Sequence, residues 1–320
     1  VRLHGPNAGT GPTAAEPAPA AAAPRTAQVR TVPWEGRLQR YWDFAPLGPA
    51  GRPAAPQDAA EPVMFLVHGF RGDHHGLLRI VEGLPGYRVI VPDLPGFGAS
   101  EALAGVHDVS AYARFVRHSL EALGLGPSTV LLGHSFGSVI ASRFAADNPG
   151  RTAALILVNP ICEPALEGSS RLASRAAELY YAAGARLPER PGLALLTNPL
   201  IVRVMSIFMA KTRDRALRAY IHDQHARYFS AFAERRVVLE AFRASIGATV
   251  RDSAADLTGP VLLIAAELDD LGSLEGQRRL AAMIPGARLE VLAGTGHLVH
   301  YEKPLEAAAL VTAFLQEGRK

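Results

Sequence analysis

A single cysteine, Cys162, stands in 320 residues. One thiol forms no internal disulfide and is too few for a thiolate metal site, which leans the expectation towards a cytoplasmic protein. No basic stretch followed by an apolar core opens the chain, so no secretory leader is expected. The most apolar long window, residues 193–210, contains Asn198, Pro199 and Arg203. Each is unfavourable in a bilayer, and no transmembrane segment is expected. Runs of Lys and Arg interleaved with aromatics are missing, and the formal charge is only +3; nucleic-acid binding is therefore not expected. With no G-x-G-x-x-G and no Walker loop, no nucleotide cofactor is implied. His74, His75, His222 and His225 come from distant segments and read as short of carboxylates at ligand spacing, so no metal is expected. Nothing in the pattern sets an oligomeric state.

What is present is a globular balance, 48% hydrophobic and 20% charged, enough apolar surface for one large domain with an insertion. Residues 1–28 are the exception. They are rich in Ala, Pro, Gly and Thr without an apolar period, and are expected to be a disordered tail. Residues 37–44 (RLQRYWDF) read as a first strand, and 46–62 as a Pro/Gly/Ala-rich surface loop. Short segments that read as strands then follow at 63–67, 87–91, 129–132, 154–158, 261–265 and 288–292, the clearest of them, such as 63–67 (VMFLV), continuously apolar. Runs of that length are expected of strands buried on both faces. Helical spacing separates them at 77–82, 109–123 and 136–146, and a last helix covers 304–316. This alternation predicts an α/β fold with a mostly parallel central sheet and helices on both faces. Between 158 and 261 the alternation stops, and helices are expected at 169–185, 199–211, 213–232 and 234–246. The expected division is a core of 29–160 and 253–320, with a helical block of 161–252 over the carboxyl edge of the sheet, where such sheets bind ligands.

The strongest chemical signal is Gly133-His134-Ser135-Phe136-Gly137, a G-x-S-x-G between a buried strand and a helix. A sharp strand-to-helix turn needs small neighbours at 133 and 137. It lifts the Ser135 hydroxyl above the sheet and leaves the Phe136 N–H free at the helix N-terminus to meet a developing oxyanion. A serine hydroxyl needs a base. His297, in the Gly-rich loop after the last strand, is expected to supply it, with His300 as the rival three residues on. A carboxylate must hold the imidazole, and Asp269 and Asp270 both follow the fifth of the buried runs.

With these residues in view the chain resembles the α/β-hydrolase superfamily, in its capped esterase, lipase and carbon–carbon hydrolase branch. The likeness extends over roughly residues 60–317 and rests on four segments: Val67-His68-Gly69-Phe70, the stretch from Pro92-Asp93 to Gly98-Ala99-Ser100, the elbow around Ser135, and the stretch from Gly296-His297 to Pro304. The resemblance implies the α/β-hydrolase fold, with the helical block as a cap inserted before the strand that carries the acid. It makes the backbone N–H of Phe70 the second oxyanion donor. It also selects Asp269, because the acid ends a G-x-x-D segment in that family; here Ala266 stands at the glycine position. Asp93 becomes a structural residue of the turn around Gly96 and Gly98. His68 and His134 flank the site, and Met205, Phe208 and Met209, in the apolar run 199–209, are expected either to wall a substrate pocket or to pack the helical block on the core. That run is expected to face the nucleophile, since an exposed face so apolar is an aggregation liability.

The activity so implied is hydrolysis of a small or medium hydrophobic ester, or a close acyl analogue, through an acyl-serine intermediate. Hydrolysis of a carbon–carbon bond in a vinylogous diketone would use the same triad. A ligand receptor on a hydrolase scaffold is the reading of another class. Serine at the elbow sets the chain apart from haloalkane dehalogenases and epoxide hydrolases, which attack with a carboxylate.

Overall fold

The computed structural model describes residues 25–48, 63–164 and 171–318. Its frame is one eight-stranded sheet made of β1 (Ala27–Trp34), β2 (Arg37–Phe44), β3 (Met64–Val67), β4 (Val89–Pro92), β5 (Val130–His134), β6 (Ala154–Val158), β7 (Val261–Ala266) and β8 (Arg288–Leu292). The spatial order is β1-β2-β4-β3-β5-β6-β7-β8. β1 and β2 run antiparallel, as do β2 and β4, and every later pairing is parallel.

Strands β3 to β7 are buried along their whole length because helices cover both sides. Alternate residues divide between two cores, as the period of two requires. Phe65, Leu131, Leu155, Leu157 and Leu263 face one core together with α2 (Val109–Ala122) and α3 (Phe136–Asp147). Met64, Leu66, Leu132, Ile156 and Ile264 face the other, with α1 (Leu78–Glu82) and, from the far end of the chain, residues of helix Pro304–Glu317. This is the α/β architecture expected from the alternation, in the α/β-hydrolase arrangement that the resemblance implies.

Between β6 and β7 lie α4 (Arg171–Arg186), α5 (Glu189–Leu196), α6 (Pro199–Met209), α7 (Arg215–Tyr228) and α8 (Arg235–Gly247), followed by the single turn α9 (Arg251–Ala254). The block is tied to the core turn after β4: Gly98 N–H donates to Ala231 O at 2.9 Å and Ala233 N–H to Gly96 O at 2.9 Å. Helix α5 was not expected, because Pro188, Pro191 and Gly192 read as breaks. Pro188 instead serves as the N-cap residue and Pro191 falls in the first turn, where no intrahelical donor is lost. Gly192 marks a close crossing, since a Cβ there would lie 2.4 Å from Gly184 O. After β7 come α10 (Leu274–Met283), also unexpected and capped by the Ser273 side chain, then α11 (Val299–Glu302) and α12 (Pro304–Glu317).

The N-terminal boundary needs correction. Residues 27–28, assigned to the tail, begin β1, an edge strand in which polar residues and Pro33 mask the alternation. Its Trp34 packs on Phe115 of α2 at 5.7 Å between ring centroids. Arg25, also assigned to the tail, is held by hydrogen bonds to Val81 O and Leu84 O at 2.9 and 3.0 Å, whereas residues 1–24 and most of the expected loop, residues 49–62, lie outside the described residues.

Candidate active site

The turn between β5 and α3 carries Ser135 with φ 54° and ψ −122°, a left-handed conformation that a side-chain-bearing residue holds only under constraint. Its neighbours show the constraint. A Cβ on Gly133 would lie 2.3 Å from Gly137 O, and one on Gly137 would lie 2.2 Å from Val67 O. Glycine is therefore imposed at both places by backbone contact. Ser135 N–H donates to Val158 O at 3.0 Å, which fixes the turn to β6. Ser135 itself stays partly accessible.

His297 reaches this hydroxyl from the loop after β8, with Nε2 2.7 Å from Ser135 Oγ. On the other side of the ring, Nδ1 lies 2.8 Å from Asp269 Oδ2 and 3.0 Å from Oδ1. A carboxylate accepts, so Nδ1 donates to it, and Nε2 is left as the acceptor facing the serine O–H. Asp269 follows β7 and is almost wholly buried at its side chain, 2% exposed. Burial by itself would raise this carboxyl. Burial is the largest single influence, but the His297 charge and the hydrogen bonds from His297, Leu271 N–H and Asn159 together exceed it and hold the group below its ordinary value.

Asp270 points elsewhere, to an ion pair with Lys211. His300 does not meet Ser135; its ring packs 4.1 Å from that of His134. Burial first, then the charges of His134, His225 and His297, push His300 well below the usual imidazole range. The structure thus brings Ser135, His297 and Asp269 together and leaves both rivals outside.

Asn159 is a member of this constellation that the sequence reading passed over. Its Nδ2 donates to Asp269 Oδ2 at 2.8 Å. It too has positive φ, 46°, and its N–H donates to Ile264 O at 2.8 Å. The available signal was an Asn-Pro pair at the carboxyl end of β6. Glu302 is another. Its Oε2 accepts from Thr295 Oγ1 at 2.7 Å and Gly296 N–H at 3.1 Å, which braces the His297 loop. Its Oε1 accepts from the N–H groups of Lys211 and Thr212, at 2.7 and 2.8 Å, just beyond α6.

The loop from His68 to Phe70 lies against Ser135, for a Cβ on Gly69 would stand 3.1 Å from Ser135 Cβ. Phe136 opens α3, where the first N–H groups have no carbonyl four residues earlier in the helix. The ring of Phe70 packs edge-on to Phe97 and Tyr181, at 6.2 and 5.5 Å. His68 has both ring nitrogens engaged: Nε2 accepts from Leu94 N–H at 2.9 Å and Nδ1 donates to Gly69 O at 2.8 Å. It shapes the loop and offers no free atom to a ligand. His134 is buried beneath His297 and lowered to about 3, by burial first and then by the His297 charge. Asp93 accepts from His74 N–H, His74 Nδ1 and Ala99 N–H at 2.7–2.9 Å, and a Cβ on Gly98 would collide with its carboxylate. Its oxygens hold the turn around Gly98.

Two expectations are overturned. The run 199–209 does not turn its apolar face inwards as a whole: Leu200, Val204, Ile207 and Phe208 are 57–70% exposed. Helix α6 is seated instead through Val202 and Ser206, both buried. The Ser206 hydroxyl sits between Nδ1 of His222 and Nδ1 of His225 on α7, at 2.6 and 2.8 Å. Phe208 is exposed, with Lys211 Nζ 5.2 Å from its ring centroid, while Met205 and Met209 are half-buried on the seated side. Nor do His74 and His75 lack a carboxylate at ligand spacing. Asp73 stands beside them, with one donor atom from each of the three within 4.8 Å of the others. The Asp73 carboxylate is spent on His75, accepting from its N–H at 2.9 Å and from Nδ1 at 3.1 Å.

A family model described as alpha/beta hydrolase fold matches residues 62–304. The chain is 32% identical over 241 residues to polyketide synthase ThaQ of Burkholderia thailandensis, which covers 72% of this chain and 10% of that protein. It is 36% identical over 100 residues to lipase 3 of Moraxella sp., 31% of either chain. The chain thus spans a tenth to a third of the length of these relatives. Among solved structures, a thermophilic esterase from Thermogutta terrifontis superposes with a TM-score of 0.70 at 24% identity, covering 92% of this chain and 100% of that one.

Proposed function

Since the chain belongs to the alpha/beta hydrolase fold family, we propose that it is a serine hydrolase that cleaves a small or medium hydrophobic ester through an acyl-serine intermediate. The observation that carries this reading is the position of one imidazole, 2.7 Å from the Ser135 hydroxyl and 2.8 Å from the Asp269 carboxylate. The relatives named a lipase and an esterase support the ester as substrate class.

In this reading Ser135 Oγ attacks the ester carbonyl as its proton passes to His297 Nε2. Negative charge moves onto the carbonyl oxygen, where the backbone N–H groups of Phe70 and Phe136 meet it. Asp269 stabilises the imidazolium and holds its tautomer, and Asn159 and Leu271 N–H hold Asp269. The tetrahedral species collapses, the ester C–O bond breaks, and His297 returns the proton to the departing alkoxide. A water then repeats the sequence on the acyl-serine: His297 takes its proton, the acid is released and Ser135 recovers its hydrogen. Helices α4–α8 act as a cap that encloses an apolar substrate and excludes bulk water.

The test combines a covalent and a kinetic readout. A fluorophosphonate should label Ser135, and short p-nitrophenyl esters should be turned over, with both lost in Ser135→Ala. Labelling without turnover of any ester would assign the scaffold to ligand reception; turnover confined to a vinylogous diketone would assign it to carbon–carbon hydrolysis.

A further inference from the structure

The exposed face of α6 calls for a physical explanation. Leu200, Val204, Ile207 and Phe208 are spaced i, i+4, i+7 and i+8, so at 3.6 residues per turn they form one stripe. All four are more than half exposed, at 70, 58, 57 and 62%. On α5, Leu193 adds a fifth exposed apolar side chain at 45%. An 18-residue window within Glu189–Met209 has a mean hydropathy of 1.6, and only 22% of it is buried. A contiguous apolar surface of this kind marks a place where something binds.

Two features select the occupant. The first is length. The stretch is broken at Thr197 and Asn198, and the Asn198 side chain caps the start of α6. Helix α6 has 11 residues. At ~1.5 Å per residue it is about half as long as the ~30 Å hydrocarbon layer is thick, so it can lie on a bilayer but not cross it. The second is charge. Residues 186–218 hold seven Lys and Arg against two acids, Glu189 and Asp214, a net +5. The whole chain carries +3, so the remainder sums to −2. The six arginines of this segment are all exposed, and Arg203 borders the apolar stripe on α6. Two copies of such a surface would repel each other. A lipid surface bearing negative headgroups would attract it while the apolar stripe entered the acyl boundary, with long basic side chains reaching back to the headgroups.

We propose that the α5–α6 face docks the protein onto an anionic lipid surface, with Leu200, Val204, Ile207 and Phe208 inserted at the interface and the surrounding arginines on the headgroups. The seated side of α6, through Ser206 and the two histidines of α7, keeps the helix attached to the protein while its outer side meets lipid. The inference does not depend on the chemistry at Ser135.

Flotation of the full chain with vesicles tests it without turnover. The protein should float with phosphatidylcholine vesicles containing phosphatidylglycerol, and much less with phosphatidylcholine alone. High salt should weaken the association. Leu200→Ser, Val204→Ser and Ile207→Ser together should lower the bound fraction about ten-fold or more, with thermal stability and hydrolysis of a soluble short ester retained. Arg213→Glu with Arg215→Glu should weaken binding to the anionic vesicles and leave the weak binding to neutral ones unchanged. Absence of flotation, or equal flotation of the triple variant, would overturn the proposal. So would a dimer in lipid-free sedimentation that the triple variant dissolves, since the occupant would then be a second copy.

Discussion

The guanidinium of Arg71 lies 4.5 Å from the ring centroid of Phe229, and its Nε donates to the carbonyl of the same residue at 2.9 Å. A second donor, Nη2, reaches Leu196 O at 2.9 Å. Arg71 is 1% exposed, has φ 57°, and follows Phe70 directly in the loop beside the nucleophile. One buried cation therefore fastens the ends of α5 and α7 to the loop proposed to hold the oxyanion. Arg71→Met should leave both carbonyls buried without their donors, at about 1–3 kcal/mol each. The expected result is a lower thermal midpoint, with proteolytic cleavage between residues 186 and 232 appearing before cleavage in the sheet. Unchanged midpoint and cleavage pattern would show that the fastening carries no weight.

Ser135→Ala removes the oxygen proposed to attack and keeps the Cβ, so the strained turn itself is unchanged. Turnover of a p-nitrophenyl ester should fall by about 10³-fold or more while the fold is retained. Retention of about a tenth of wild-type turnover would remove Ser135 from the role of nucleophile.

The two adjacent aspartates should behave differently. Asp269→Asn leaves the His297 ring without its carboxylate and should lower kcat by about 10²–10⁴. Asp270→Asn breaks only an ion pair in which Asp270 is about half exposed (46%), so its effect should be small. Measured kcat values in the opposite rank would transfer the role to Asp270.

Acid should destabilise the protein through its buried histidines. Burial, followed by the charges of neighbouring histidines, lowers His134 to about 3 and His225 to about 4, and holds His300 well below its ordinary value. These rings are neutral in the fold, whereas an unfolded chain protonates them near the ordinary value of ~6.5. Their contribution is complete above that value and is lost as pH falls through it towards the folded values. At pH 5, His134 alone should withdraw about 2 kcal/mol. Asp269, held low, titrates below this window and does not mask the effect. Urea midpoints at pH 7.5 and pH 5 check it, and equal midpoints would mean that the three rings stay protonatable in the fold.

The strands from β3 to β7 were legible because a fully covered sheet writes itself as short apolar runs between helices. Ser135 was legible for a related reason: backbone contact forces glycine onto both flanks, and such a constraint leaves a mark in the sequence. The choice between Asp269 and Asp270 was not fixed by local pattern, because it depends on which side chain turns towards His297. Asn159 escaped notice because its role exists only where β6 and β7 lie side by side. The run 199–209 was misread for a more general reason. Hydropathy reports that a face avoids water, but not whether protein or lipid relieves it.

Glu302 gives these parts a mechanical connection. One of its oxygens braces Thr295 and Gly296 beside the base, and the other holds the two N–H groups that follow α6. The proposed lipid-facing helix and the loop carrying His297 thus share one carboxylate, beside the packing of Met209 and Ala210 with Leu298 and Tyr301. In the proposed docked state, a pull on α6 would load the two hydrogen bonds that Glu302 accepts from Lys211 and Thr212. Rolling of the outer helix would then register at the reaction centre as a change in where the base sits.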